Sequence, residues 1–201
     1  YPQLQGLSDK AKRDFAQMQA HKSDQFKVGF VAGYETFTFL AGLIILDRYH
    51  ELMGDAHPTI RALWVWHQVE EVEHGTVAFD VYQNLYGEKE WYRKAMVMLA
   101  ALHIISETFK AYHVMIKGEG WYRRPRRMLA AFGFFTSFAI DLFRSSLPVF
   151  GRRYHPRVHP RCNQDQNRIA VAWRAWVLAG GDPTHLETAN VNKWCTDPIT
   201  H

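Results

Sequence analysis

The segment LWVWHQVEEVEHGTVAFDVY, residues 63–82, combines a helical hydrophobic period with acidic and imidazole side chains on one face. At about 100° per residue, His67, Glu71 and His74 lie within about 60° of one another, and Glu70 lies at the edge of their face. Glu71 and His74 are spaced i, i+3, which lets a carboxylate and an imidazole on one helix converge on a single ion. The segment therefore predicts a helix that carries part of a carboxylate–histidine metal site.

The helix before this segment supports the same interpretation. Glu35 is the single charged member of an otherwise apolar stripe, which consists of Val28, Val31, Glu35, Phe39, Gly42, Leu46 and Tyr49. Ala78 and Val81 continue the face of Glu71, so we expect both stripes to be buried, and a buried charge needs a partner. A shared metal ion would neutralise these carboxylates. The alternatives are an arginine or protonated histidine beside Glu35, and a solvated acidic surface around Glu71.

His67 and Glu70, on the face of Glu71, are weaker candidates for metal ligands, and three further weaker candidates lie elsewhere in the chain. His103 and Glu107 are spaced i, i+4 on a later helix, where the alternatives are a supporting position beside the ligands or a satisfied core pair. His159 lies with His155 in a basic, proline-rich loop that can cover the mouth of a site, although loop histidines are more often exposed.

Hydrophobic periodicity is helical along nearly the whole chain, and glycine, proline and capping residues mark the ends of the helices. The predicted helices cover residues 8–21, 24–53, 58–86, 89–117, 125–147 and 163–179, with a short turn starting at Asp182-Pro183. Short connections between long helices favour antiparallel neighbours. The prediction is an all-α, up-and-down helical bundle that forms one domain over residues 1–201.

The composition limits the classes of function that this protein can have. Hydrophobic residues make up 47% and charged residues 22%, and the net charge of +4 is too small to indicate nucleic-acid binding. Arginines cluster in residues 121–127 and 151–161, which favours solvated loops, with binding of phosphate or of an anionic membrane surface as alternatives.

The apolar run at residues 129–140 is too short to span a bilayer, so we expect a core helix, with peripheral membrane contact as the alternative. Cys162 and Cys195 lack metal-ligand spacing and favour a reduced, cytoplasmic protein.

Three segments resemble a bacterial family called predicted metal-dependent hydrolases, whose fold is ferritin-like. Residues 63–82 resemble the signature of that family. GYETFTF, residues 33–39, is similar to the family's carboxylate segment on the preceding helix, and YHPRVHP, residues 154–160, is similar to its His-Pro segment near the C-terminal end. The resemblance implies a ferritin-like bundle with extra C-terminal helices.

The resemblance also implies that Glu35, Glu71 and His74 are metal ligands. The family pattern has two earlier helices that bring another glutamate and another Glu-x-x-His. The sequence from Tyr1 onward does not contain these two helices. We expect that upstream residues complete the site. The alternatives are a single bound ion, or replacement ligands from His67, His103 and Glu107.

These observations predict an enzyme that depends on a divalent metal, with iron expected and manganese or zinc as alternatives. Hydrolysis and di-iron oxidation both remain open, because either reaction can use a mixed carboxylate–imidazole site. Many aromatic residues favour a small hydrophobic substrate such as an acyl chain. The alternative from another class is a non-catalytic binding or scaffold module that contacts a partner helix or a membrane surface. A homo-oligomer is compatible with either class.

Overall fold

The computed structural model describes residues 1–162 and 167–196, and every regular element within these ranges is helical. The prediction of an all-α fold is therefore confirmed. The α-helices are α1 (Gln5–His21), α2 (Asp24–Asp47), α3 (Tyr49–Met53), α4 (Pro58–Tyr86), α5 (Glu90–Gly118), α6 (Pro125–Ser146), α7 (Arg168–Leu178) and α8 (Thr188–Thr196). Short 3₁₀ turns lie at Pro2–Leu4, Trp121–Arg123, Leu147–Phe150 and Pro156–Val158.

Some helix boundaries differ from the predicted ones. Ser8 lies inside α1 and does not cap it, because a 3₁₀ turn leads directly into the helix. The predicted second helix is interrupted at Arg48, which separates α2 from α3. Residues 163–166, where the sixth helix was predicted to begin, lie outside the described ranges. The Asn167 side chain caps α7 by accepting a hydrogen bond from the backbone N–H of Ile169 at 2.9 Å. Helix α8 was not predicted.

Contacts between Cα atoms divide the chain into two compact units. Unit 1 comprises Tyr1–Tyr34 and Val81–Asp141, and unit 2 comprises Glu35–Asp80 and Leu142–His201. The organisation of the whole chain as one domain therefore remains a prediction.

Unit 2 is built around the second half of α2 and most of α4. Its core contains fully buried side chains from both helices and from the C-terminal elements: Leu40, Leu43, Ile44, Val65, Val149 and Leu186. Three tryptophans of α7 and α8 pack on one another, with ring centroids 5.3–6.5 Å apart: Trp173, Trp176 and Trp194. These aromatic residues therefore contribute to the packing of unit 2.

A buried arginine holds the start of α4 in unit 2. Arg61 is 5% exposed, and its guanidinium donates hydrogen bonds to the carbonyl oxygens of Met53, Gly54, Ala56 and Leu186, at 2.7–3.3 Å. These bonds satisfy carbonyls at the C-terminal end of α3, where a cation is also favoured by the helix dipole. Arg61 thus joins the loop after α3 to the segment before α8.

Unit 1 packs α5 against the first half of α2 and against α6. Gly33 permits a close approach, because an added Cβ would lie 2.7 Å from the carbonyl oxygen of Met96. The Tyr112 hydroxyl donates to the carbonyl oxygen of Ala131 at 2.7 Å, and the ring of Phe135 lies 5.3 Å from that of Tyr112. One side of α6 is therefore packed on α5.

Two helical segments are long and apolar enough to cross a membrane, judged by length and composition alone: Asp24–Asp47 and Pro125–Phe150. Core helices of soluble proteins meet the same criterion, and 61% of the apolar window of the first segment is buried. Only 11% of the window in the second segment is buried. The expectation that residues 129–140 form a buried core helix is therefore wrong, because too few neighbours cover α6.

Candidate metal centre

Glu35 of α2 and Glu71 and His74 of α4 come together within unit 2. Each offers one ligand atom, and the three atoms all lie within 4.8 Å of one another. Ligand atoms around a divalent ion stand about 3 Å apart, because each is about 2.1 Å from the ion. Small rotations of these side chains are therefore enough to enclose a cation. The predicted convergence of two neighbouring helices on one point is observed.

Two glycines allow α2 and α4 to approach closely at this point. A Cβ added to Gly75 would lie 2.4 Å from the Cβ of Phe39, and one added to Gly42 would lie 3.1 Å from the carbonyl oxygen of Gln68 and 3.5 Å from the Cβ of Glu71. Any larger residue at Gly75 would push the helices apart. Sequence reasoning did not assign a role to Gly75, although a glycine inside a helical pattern is a signal of close packing.

One hydrogen bond and two histidine–carboxylate contacts involve the residues of this cluster. The Thr38 hydroxyl lies 3.0 Å from Oε2 of Glu35, to which it donates a hydrogen bond. On α4, Nε2 of His67 lies 3.6 Å from Oε1 of Glu71, and Nε2 of His74 lies 3.7 Å from Oε2 of Glu70. His67 and Glu70, both weaker candidates in the sequence, therefore flank the cluster on its own helix. The contribution of Thr38 was missed, because a threonine three residues after a glutamate is a common helical pattern.

The cluster is only partly buried. The Glu71 side chain is 17% exposed, but that of His74 is 54% exposed. Val31 and Val81, which belong to the stripes that were expected to be buried, are also exposed. The prediction of a buried site is therefore wrong for His74, while Glu35 and Glu71 are partly buried. Apolar residues continue along α4 without cover from the part of the chain that the structure describes, as at Ile60, Leu63 and Trp64.

Other acidic residues of α4 have cationic partners. Glu73 lies 2.9 Å from Nη1 of Arg174, and Asp80 lies 2.9 Å from Nε2 of His155. These carboxylates point toward the C-terminal elements of unit 2. Helical geometry thus separates Glu71 and Glu70 from Glu73, although all three belong to one acidic run in the sequence.

His103 and Glu107 belong to unit 1 and make contacts of their own. The ring of His103 stands edge-on to that of Phe30, with centroids 5.6 Å apart. Oε1 of Glu107 lies 2.7 Å from Nζ of Lys110, and that ammonium group holds the pKa of the Glu107 carboxyl below its usual value. Among the described residues, the cluster of ligating side chains includes neither of them. These contacts favour a packing role for His103 and a surface ion pair for Glu107.

His159 is almost completely buried in unit 2. Its Nε2 lies 2.9 Å from the carbonyl oxygen of Ser145, and its Nδ1 accepts a hydrogen bond from the backbone N–H of Arg161 at 3.1 Å. Burial lowers the pKa of His159. Both ring nitrogens are thus engaged with the backbone. This arrangement favours a neutral ring that holds the loop in place, and it argues against a ring that binds a metal.

One of three comparisons with known proteins found a match. A family model described as "Predicted metal-dependent hydrolase" matches residues 2–163, which is more than half of the chain. The matched region includes Glu35, Glu71 and His74. No curated protein and no solved structure matched the chain. The length of the family match shows that this chain belongs to the predicted metal-dependent hydrolases.

Proposed function

We propose that this protein is a hydrolase that binds a divalent cation through Glu35, Glu71 and His74. The observation that carries the proposal is the convergence of their three ligand atoms within 4.8 Å. Two carboxylate oxygens and one imidazole nitrogen suit zinc, manganese or ferrous iron, whereas an all-oxygen set would favour magnesium or calcium. Three protein ligands also leave coordination positions for water and substrate, which is the pattern of catalytic sites.

A divalent cation bound at such a site supplies a water of lowered pKa and polarises the bond that is cleaved. The chain contributes orientation and proton transfer. The hydrogen bond from Thr38 restricts the rotation of the Glu35 carboxylate. His67 is half-exposed and lies beside Glu71, so its Nε2 is well placed to accept a proton from the attacking water.

The surroundings of the cluster support a small hydrophobic substrate. The ring of Trp64 stands edge-on to that of His67, with centroids 5.9 Å apart. Leu63 and Ile60 are exposed about one and two helical turns, respectively, before His67 on α4. An exposed apolar surface beside a polar cluster is typical of a ligand-binding site. An acyl ester or amide would place its chain on this surface and its carbonyl group at the cluster.

A di-iron oxygenase is the alternative chemistry for this site. Such centres use additional carboxylates that bridge two ions. The cluster among the described residues contains two carboxylates and one imidazole, which suits one ion. The hydrolase proposal rests on the family description. Oxygen consumption after ferrous loading would favour the oxygenase.

Substitution of Glu71 tests the metal site. Glu71→Gln keeps the shape of the side chain but removes its charge, so we expect the affinity for Mn²⁺ or Zn²⁺, measured by calorimetry, to fall by at least about tenfold. Hydrolysis of a panel of nitrophenyl esters should fall with it. Glu73→Gln is the matched control, because Glu73 lies on the same helix and pairs with Arg174.

Two results would contradict the proposal. One is a Glu71→Gln protein that binds metal as tightly as the Glu73→Gln control. The other is wild-type protein without stoichiometric metal in elemental analysis after loading, which would favour the non-catalytic scaffold module.

A further inference from the structure

Helix α6 presents an exposed apolar face within unit 1. Leu129, Phe132 and Ile140 lie within about 80° of one another around the helix axis. All three are exposed, and Leu129 retains 71% of its accessible surface. From Leu129 to Ile140 the face extends about 17 Å, at a rise of about 1.5 Å per residue. Large apolar side chains in such a stripe are costly to leave in water, so the face is suited to a partner.

Helix α5 adds a second exposed stripe, which consists of Met98, Leu102, Ile105 and Phe109. These residues are spaced four, three and four apart, so they share one face of α5. The ring of Phe109 lies 5.2 Å from that of Phe135 on α6, which places the stripe next to the packed side of α6. The two helices together offer a broad apolar surface.

Arginines cluster where α6 begins. Arg123, Arg124, Arg126 and Arg127 are all exposed, while Asp141 is the single acidic residue between positions 121 and 141. Cations at the N-terminal end of a helix are opposed by the helix dipole, so this placement does not serve the stability of α6. The half-exposed ring of Tyr122 lies beside the arginines in the sequence, and tyrosine is a side chain that favours membrane interfaces.

The charge of this surface points to an anionic lipid surface as its partner. Basic residues beside an exposed apolar helix face are typical of helices that lie in the plane of a membrane. A spanning orientation conflicts with the packing of α6, since Ala131 and Phe135 are engaged by Tyr112 of α5. A second copy that met this face with its own copy of the same face would offer the arginines a single carboxylate between positions 121 and 141, that of Asp141.

We propose that α6 docks on the surface of an anionic membrane. Leu129, Phe132 and Ile140 enter the boundary between headgroups and acyl chains, and the arginines at residues 123–127 contact the phosphates. The helix lies parallel to the membrane surface. This inference is independent of the metal site, because none of its residues belongs to the metal cluster.

Sedimentation with vesicles tests the proposal. The whole chain is mixed with vesicles of phosphatidylcholine alone, or with phosphatidylglycerol added, at low and high salt. We expect binding to the anionic vesicles and release by salt. Changing Leu129 and Phe132 together to Gln should weaken binding by at least about tenfold, since each loses the burial of a large apolar side chain. Leu178→Gln, at an exposed leucine of α7, is the matched control and should bind as the wild type does.

A second variant distinguishes charge from hydrophobicity. Replacing Arg123, Arg124, Arg126 and Arg127 by Gln should remove the preference for anionic lipid. Circular dichroism establishes that each variant is folded. The proposal is overturned if the wild-type protein does not bind anionic vesicles, or if the Leu129 and Phe132 double variant binds as well as the Leu178→Gln control. It is also overturned if sedimentation equilibrium shows a dimer that the double variant abolishes, because the face would then bind a second copy.

Discussion

Replacing Gly75 by alanine tests whether the close approach of α2 and α4 positions the candidate metal ligands. The added Cβ would lie 2.4 Å from the Cβ of Phe39 and 2.8 Å from its Cγ. Carbon atoms in contact are normally about 3.5–4.0 Å apart, so the overlap exceeds about 1 Å. Phe39 is 1% exposed, and its Cβ is attached to the backbone, so a change of rotamer cannot relieve the overlap. The helices must therefore separate locally.

The expected magnitude follows from two opposing effects. Overpacking a buried contact costs about 1–3 kcal/mol. Alanine recovers about 1 kcal/mol, because it is the better helix former. We therefore expect Gly75→Ala to lower the free energy of unfolding by up to about 2 kcal/mol. A separation of about 1 Å also moves Glu35 away from Glu71 and His74, which exceeds the tolerance of about 0.5 Å for a preorganised site. Metal affinity should fall by about tenfold or more.

Urea denaturation and metal calorimetry measure the two effects. Gly133→Ala is the matched control, because a Cβ added at that position of α6 meets nothing within 4 Å. It should raise the free energy of unfolding by about 0.5–1 kcal/mol and leave metal affinity unchanged. If Gly75→Ala is as stable as Gly133→Ala and binds metal as tightly as the wild type, close helix packing does not position the site.

Further predictions concern stability. Arg61→Met should lower the free energy of unfolding by about 3 kcal/mol in urea denaturation, because it leaves buried carbonyl oxygens without donors. The Arg93 guanidinium holds the pKa of Glu90 below its usual value, so the stability that Glu90 contributes is present above pH about 4.5 and is lost as the pH falls through its folded pKa. In thermal melts at decreasing pH, the melting temperature of Glu90→Gln should therefore fall less steeply than that of the wild type. An equal dependence on pH in the two proteins would contradict this. Chelation of a metal present at about 100 times its dissociation constant should lower stability by about 2.7 kcal/mol in the wild type and by less in Glu71→Gln.

Much of the local structure was predictable, because it depends on residues close together in the chain. Helix α4 was predicted over residues 58–86, and the structure has Pro58–Tyr86. Its start carries a proline at a first-turn position, and Gly87 follows its end, so both boundaries have local signals. The interruption at Arg48 has no comparable signal. Helix α8 was missed, since the segment is only nine residues long and largely polar.

The shared face of Glu71 and His74 was predictable for the same reason, because helical periodicity alone determines which side chains on one helix are neighbours. The position of Glu35 beside them is a property of helix packing, which depends on Gly42 and Gly75. The sequence pattern also could not distinguish a covered face from an open one, and it failed at residues 129–140 for that reason.

Periodicity and residue type therefore account for the helices, the acidic and imidazole face of α4, and the candidate ligands. Packing decided how closely α2 and α4 approach, that His74 is half-exposed, and that His159 bonds to the backbone of Ser145 and Arg161. Helical periodicity is set by the rotation between consecutive residues, whereas burial depends on which distant segment arrives at a face.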